Sequence, residues 1–64
     1  MAKHVIMIKD MNCEHCKMRI EKALNLEHIN CEISLENKTV TIEGNSDLLA
    51  VTKRIISAEG YTIL

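Results

Sequence analysis

The stretch Asp10-Met11-Asn12-Cys13-Glu14-His15-Cys16 sets two thiols three residues apart. Such a pair can form a reversible disulfide, hold a metal ion, or pack as two small apolar side chains. On the first turn of a helix, residues i and i+3 share a side, so both sulfurs can reach one ion. A soft metal lying linearly between two thiolates, at about 2.3 Å from each, needs them roughly 4.6 Å apart. Zinc prefers four ligands in a tetrahedron, and a lone pair of sulfurs leaves it incomplete. Soft thiolates select Cu(I), which tolerates fewer. The open side also admits an incoming thiol before either original thiol leaves, which suits handover. A redox module of the thioredoxin kind needs a longer α/β chain with a Pro opposite its thiols, and this chain has no Pro. The purely structural reading fits two thiols flanking Glu14 and His15 poorly. Metal binding by Cys13 and Cys16 is the favoured reading; a small thiol-disulfide oxidoreductase is its rival from another class.

Neighbouring residues pull on these thiols in opposite directions. Helix N-terminal amides and Lys17 favour thiolate, whereas Asp10 and Glu14 oppose it. His15, between the thiols, is expected to point outward and tune local charge or meet a partner. His4 and His28 read as surface residues at element ends, and Met7 and Met18 lack the spacing of a methionine copper box. Cys31 alternates with Ile29, Ile33 and Leu35 and reads as a small core residue, with a redox-sensitive thiol as the lesser alternative. Lys17, Arg19 and Lys22, with Glu14 and Glu21, form either a solvated face or a weak polar docking surface around the metal.

The elements that must position the pair follow from periodicity. Residues 3 to 9, with Val5-Ile6-Met7-Ile8 at their centre, suit a strand in a sheet interior. From Cys13 to Leu26 the period becomes helical, with Cys16, Ile20, Ala23 and Leu24 on one face, Glu27 at its margin, and Asn12 as the expected N-cap. Ile29 to Leu35 and Val40 to Ile42 alternate as two antiparallel strands, joined by a turn at Glu36-Asn37-Lys38 where Asn37 tolerates left-handed backbone. Ser46 is the expected cap of a second helix running through Leu48, Leu49, Val51, Thr52, Ile55 and Ile56 to Gly60. Tyr61 to Leu64 reads as a fourth strand. This order, βαββαβ, predicts an α+β ferredoxin-like sandwich: a four-stranded antiparallel sheet with two helices on one face.

Composition removes several function classes. At 64 residues the chain is expected to be one domain spanning 1–64, with no room for a substrate domain or deep cleft, so it is not expected to be an enzyme. Its 8 basic and 9 acidic residues are scattered, and Tyr61 is the one aromatic, so nucleic acid is an unpromising partner. No apolar run approaches a bilayer span or a signal-peptide core, so no membrane insertion is expected. Three cysteines, an odd number, fit free or metal-bound thiols in a reducing, cytoplasmic setting. The starting Met1 and the complete motif order favour an independent protein.

The motif Met11-Asn12-Cys13-Glu14-His15-Cys16 between strand and helix resembles the heavy-metal-associated domain family, whose signature is Gly-Met-(Thr/Ser)-Cys-x-x-Cys. The resemblance covers almost the whole chain, including the run from Glu36 to Ile42 and the closing Gly60-Tyr61, and extends to small bacterial copper chaperones. It implies that Cys13 and Cys16 are Cu(I) thiolates, that Met11 anchors the loop in the core, and that Tyr61 lies close to the metal loop. It further implies Cu(I) as cargo and, as partner, the metal-binding domain of a P-type metal-transporting ATPase or a copper-responsive repressor. The chain itself would be a monomer or a metal-bridged dimer. Two positions depart from the pattern. Asp10 stands where the family has Gly, and either its backbone needs no positive φ or Asp adopts one at a cost; its carboxylate could also approach a cation. Asn12 replaces Thr or Ser, and zinc- and cadmium-handling relatives tend to carry an acidic residue there. A Zn(II), Cd(II) or Hg(II) carrier using the same cysteines is the alternative within binding proteins.

Overall fold

The computed structural model describes residues 2–64; Met1, the first residue of the expected single domain, lies outside the described residues. Three strands, β1 (Ala2–Met7), β2 (Cys31–Ser34) and β3 (Thr39–Gly44), and two helices, α1 (Glu14–Leu26) and α2 (Ser46–Ala58), follow in the order β1-α1-β2-β3-α2. The sheet is antiparallel with β3 central, in the order β1-β3-β2. Opposite Ile6 stands Val40, and Val40 in turn faces Ile33. Ile6, Ile8, Val40 and Ile42 turn to the helices and are buried, together with Ile20 and Leu24 of α1 and Ile56 of α2. The opposite face is open: Val5 is 63% and Met7 50% exposed. The strand expected over residues 3 to 9 runs instead from Ala2 to Met7, and it is covered on one face only. In an antiparallel sheet with both helices on one side, alternate residues of any strand meet water.

The fourth strand also needs correction. Beyond α2, the chain makes a single antiparallel bridge, Ile8 to Ile63, flanked by Lys9 N–H to Thr62 C=O and Leu64 N–H to Met7 C=O, both 2.9 Å. The Tyr61 amide is already committed to the Ile56 carbonyl. Three residues remain to pair, too few for a named strand, yet they lie on the free edge of β1 as the βαββαβ order requires.

Both helices end in the same way. Past the C-cap of α2, Gly60 takes φ 94°; its amide bonds Ser57 C=O at 3.0 Å while Tyr61 N–H bonds Ile56 C=O at 3.4 Å. This paired pattern is a Schellman stop. After α1, His28 takes φ 59°, with His28 N–H to Asn25 C=O and Ile29 N–H to Leu24 C=O, both 3.0 Å. His28 is thus a left-handed C′ residue, a position where Gly is usual. In the β2–β3 turn the left-handed residue is Lys38, φ 57°, not Asn37.

Two caps differ from expectation. Asn45, not Ser46, caps α2, accepting Leu48 N–H on Oδ1 at 2.9 Å. Its predecessor Gly44 is buried where β3 hands directly to the helix, and a Cβ there would lie 2.5 Å from Leu48 Cδ2. At α1 the N-cap is Cys13 rather than Asn12, with no side-chain cap at all.

Candidate metal centre

β1 leads into Ile8, fully buried, and then into a loop whose Met11 is also fully buried. Burying that side chain is worth roughly 2 kcal/mol and fixes the floor of the loop, as the resemblance implied. The loop is tied down from the side as well. Asp10 Oδ2 accepts the Thr62 amide at 3.2 Å, and Thr62 C=O accepts the Lys9 amide at 2.9 Å. Asp10 is not among the residues with positive φ. Its side chain does structural work between loop and C-terminal segment, and its backbone does not require the glycine of the family pattern.

On this fixed loop Cys13 takes an extended conformation, φ −148° and ψ 167°, as the first half-helical residue. Cys16 follows one turn later. Their sulfurs lie 3.4 Å apart, Cys13 exposed and Cys16 half-buried against the core. That separation is well beyond a disulfide bond of about 2.05 Å. It is also shorter than the roughly 4.6 Å of a linear two-thiolate arrangement, so the turn as it stands does not supply that spacing. Holding an ion linearly requires the exposed Cys13 side chain to swing outward by about 1.2 Å.

The thiol of Cys16 is held below its usual pKa, first by hydrogen bonding with Tyr61 and then by the Cys13 thiol, with smaller help from the backbone at Asn12 and Cys13. Partial burial opposes these without overcoming them. Tyr61 responds reciprocally: the interaction with Cys16 pushes its phenol up. Both shifts have one cause, the interaction of the Tyr61 phenol with the Cys16 thiol. The Gly60 stop is what turns Tyr61 back toward the loop.

Other sequence candidates lie apart from this centre. Cys31 is half-buried at the start of β2, and burial, then the Glu21 charge, raise its thiol pKa; it is a packing residue. His15 is exposed on the first turn of α1. Among the described residues, no three His, Cys, Asp or Glu side chains gather closely enough to hold a metal together. Arg19, expected on a solvated or docking face, is 62% exposed, and its guanidinium stands 5.8 Å from the centroid of the Tyr61 ring and 3.8 Å from Glu59 Oε1. Glu59 was not singled out from the sequence, which carries no local signal for a partner 40 positions away.

Residues 5–62 match the family described as the heavy-metal-associated domain. The chain is 31% identical to a copper chaperone CopZ of Staphylococcus aureus (strain bovine RF122 / ET3-1), over the full length of both. Among solved structures, a CopZ metallochaperone superposes with a TM-score of 0.79 at 26% identity, over 98% of this chain and all of the other. A heavy metal binding protein from Thermotoga maritima gives 0.72 at 36% identity, over 97% and 91%. These likenesses carry the ferredoxin-like architecture over to this chain, although its sheet has three named strands and a bridge. No described helix is long and apolar enough to cross a membrane.

Proposed function

The chain belongs to the heavy-metal-associated domain family, and from that premise we propose that it is a Cu(I) carrier, a single domain over residues 1–64 that works by ligand exchange. Cys13 and Cys16 are the two ligands. The observation that carries this reading is the pair of sulfurs 3.4 Å apart on an exposed helix start, with no third His, Cys, Asp or Glu gathered beside them among the described residues. Such a donor set satisfies a soft, low-coordinate ion and leaves a tetrahedral one short of two ligands. Asp10, the residue that would favour a divalent ion, has its carboxylate engaged with Thr62. The description of the Staphylococcus aureus relative as a copper chaperone supports the same cargo.

Exchange proceeds from the exposed side. A thiolate of the partner joins the ion, Cys13 departs, and a second partner thiol then replaces Cys16. Protons released by the two incoming thiols are balanced by those taken up by Cys13 and Cys16, and copper stays Cu(I) throughout. The partner is a matching two-cysteine domain, such as that of a P-type metal-transporting ATPase, or a copper-responsive repressor. The setting is the cytoplasm, where thiols remain reduced. No bond of a substrate is made or broken, so this role is not enzymatic.

The test is an anaerobic competition titration of the reduced protein with Cu(I) and, separately, Zn(II), against calibrated chelators. Tight uptake of one Cu(I) per chain or per dimer with weak zinc binding is expected. Comparable or tighter zinc binding would replace this reading with divalent-metal handling.

A further inference from the structure

Arg19, Glu59 and Tyr61, from different parts of the chain, converge one turn of α1 beyond Cys16. Arg19 lies one turn beyond Cys16 on α1, on the same side of the helix. Its guanidinium stands over the Tyr61 ring at 5.8 Å. The same guanidinium reaches Glu59 Oε1 at 3.8 Å. Glu59 is the C-cap of α2, and the last turn of that helix carries no basic residue. A carboxylate is the wrong charge for the negative end of a helix. The Arg19 cation, supplied from α1, meets the Glu59 carboxylate at that helix end, which gives an exposed side chain a reason to stay on this side.

We propose that Arg19 and Glu59 are positioning residues: Glu59 holds the Arg19 guanidinium over the Tyr61 ring, and the phenol hydroxyl so placed stays within reach of Cys16 and slows release of the ion. This rests on the Cu(I)-carrier reading and names what regulates that site. The brace is built to be modest. Arg19 is 62% and Glu59 35% exposed, and ion pairs and cation–π contacts so placed are weak. Removing either changes how long Tyr61 stays in place while leaving the fold intact. A metal carrier benefits from a restraint of that size, because a partner can displace it.

Tyr61 is the one aromatic residue of the chain, so its near-ultraviolet circular dichroism reports its immobilisation without interference. The test compares Arg19→Met, Glu59→Gln and Tyr61→Phe, and each of the first two combined with the third. In the reduced, copper-free protein, the tyrosine dichroism should fall by about half in Arg19→Met and Glu59→Gln while the helical far-ultraviolet spectrum is unchanged. From the Cu(I)-loaded protein, transfer to an excess of a small chelator should speed up roughly two- to fivefold in each. In the Tyr61→Phe background the same substitutions should add no further acceleration. Unchanged dichroism, or full acceleration persisting without the phenol, overturns the proposal. If the wild-type protein takes up no Cu(I), the carrier reading falls, and the dichroism still decides whether the brace holds Tyr61.

Discussion

The carboxylate of Asp10 accepts the backbone amide of Thr62 at 3.2 Å, joining the cysteine loop to the C-terminal segment across 52 positions of sequence. The neighbouring Lys9 amide donates to the Thr62 carbonyl at 2.9 Å. Thr62 therefore receives and gives one bond at the same point. This staple sets both the loop that presents Cys13 and the segment that presents Tyr61.

Replacing Asp10 by Ala should cost about 1 kcal/mol of folding stability, the net worth of a partly solvated charged hydrogen bond. Urea unfolding would read it as a lower midpoint at constant slope. Affinity for Cu(I) should be unchanged. Loss of metal affinity with stability intact would instead make Asp10 a ligand.

Thiol reactivity should rank by environment. With its pKa lowered, Cys16 should alkylate at lower pH than Cys31, whose thiol burial and Glu21 push up. Tyr61→Phe removes the donor to the Cys16 thiolate, so the Cys16 profile should move to higher pH while that of Cys31 stays. Mass spectrometry of the copper-free, reduced protein resolves the three sites. The linked stability follows in sign. Because the folded Cys16 pKa is depressed, its contribution is complete above the unfolded value near 9.0 and is lost as pH falls through the folded pKa.

His28→Gly should stabilise the protein by about 1 kcal/mol. His28 holds φ 59°, a left-handed conformation costing an L-residue roughly 1–2 kcal/mol, and its side chain is exposed. The entropy Gly loses on folding offsets part of that gain. Thermal unfolding provides the check, and an unchanged or lower midpoint would mean that the His28 side chain contributes something its exposure conceals.

Gly44→Ala should destabilise by about 1–3 kcal/mol, the range for overpacking. The new methyl would meet Leu48 at the seam between β3 and α2. Leu48→Ala in the same chain should recover part of the loss, because it removes the atom that is struck.

Much of this architecture is written in local pattern. Alternation at Ile33 and at Val40 and Ile42 gave the β2–β3 hairpin and its inward face. Helical spacing at Cys16, Ile20 and Leu24 gave the buried side of α1. What failed to read locally was decided at a distance. Asn is the better capping residue, yet Cys13 begins α1, on a loop that buried Met11 and the Asp10–Thr62 bond hold in register. Asn45 and Ser46 are adjacent and both able to cap, and nothing in sequence ranks them. Val5 and Met7 look like core until the helices are seen to cover one face only. The Arg19–Glu59 pair joins residues 40 positions apart through helix packing, so no spacing could announce it.

The central claim is that two sulfurs, and no other side chains, hold the ion. The most direct test is Cu(I) competition titration of the reduced Cys13→Ser/Cys16→Ser double variant beside Cys31→Ser and the wild type. Wild type and Cys31→Ser should bind Cu(I) alike and tightly, and the double variant should lose nearly all affinity while keeping its fold. A folded double variant that still competes for Cu(I) as the wild type does would contradict the account.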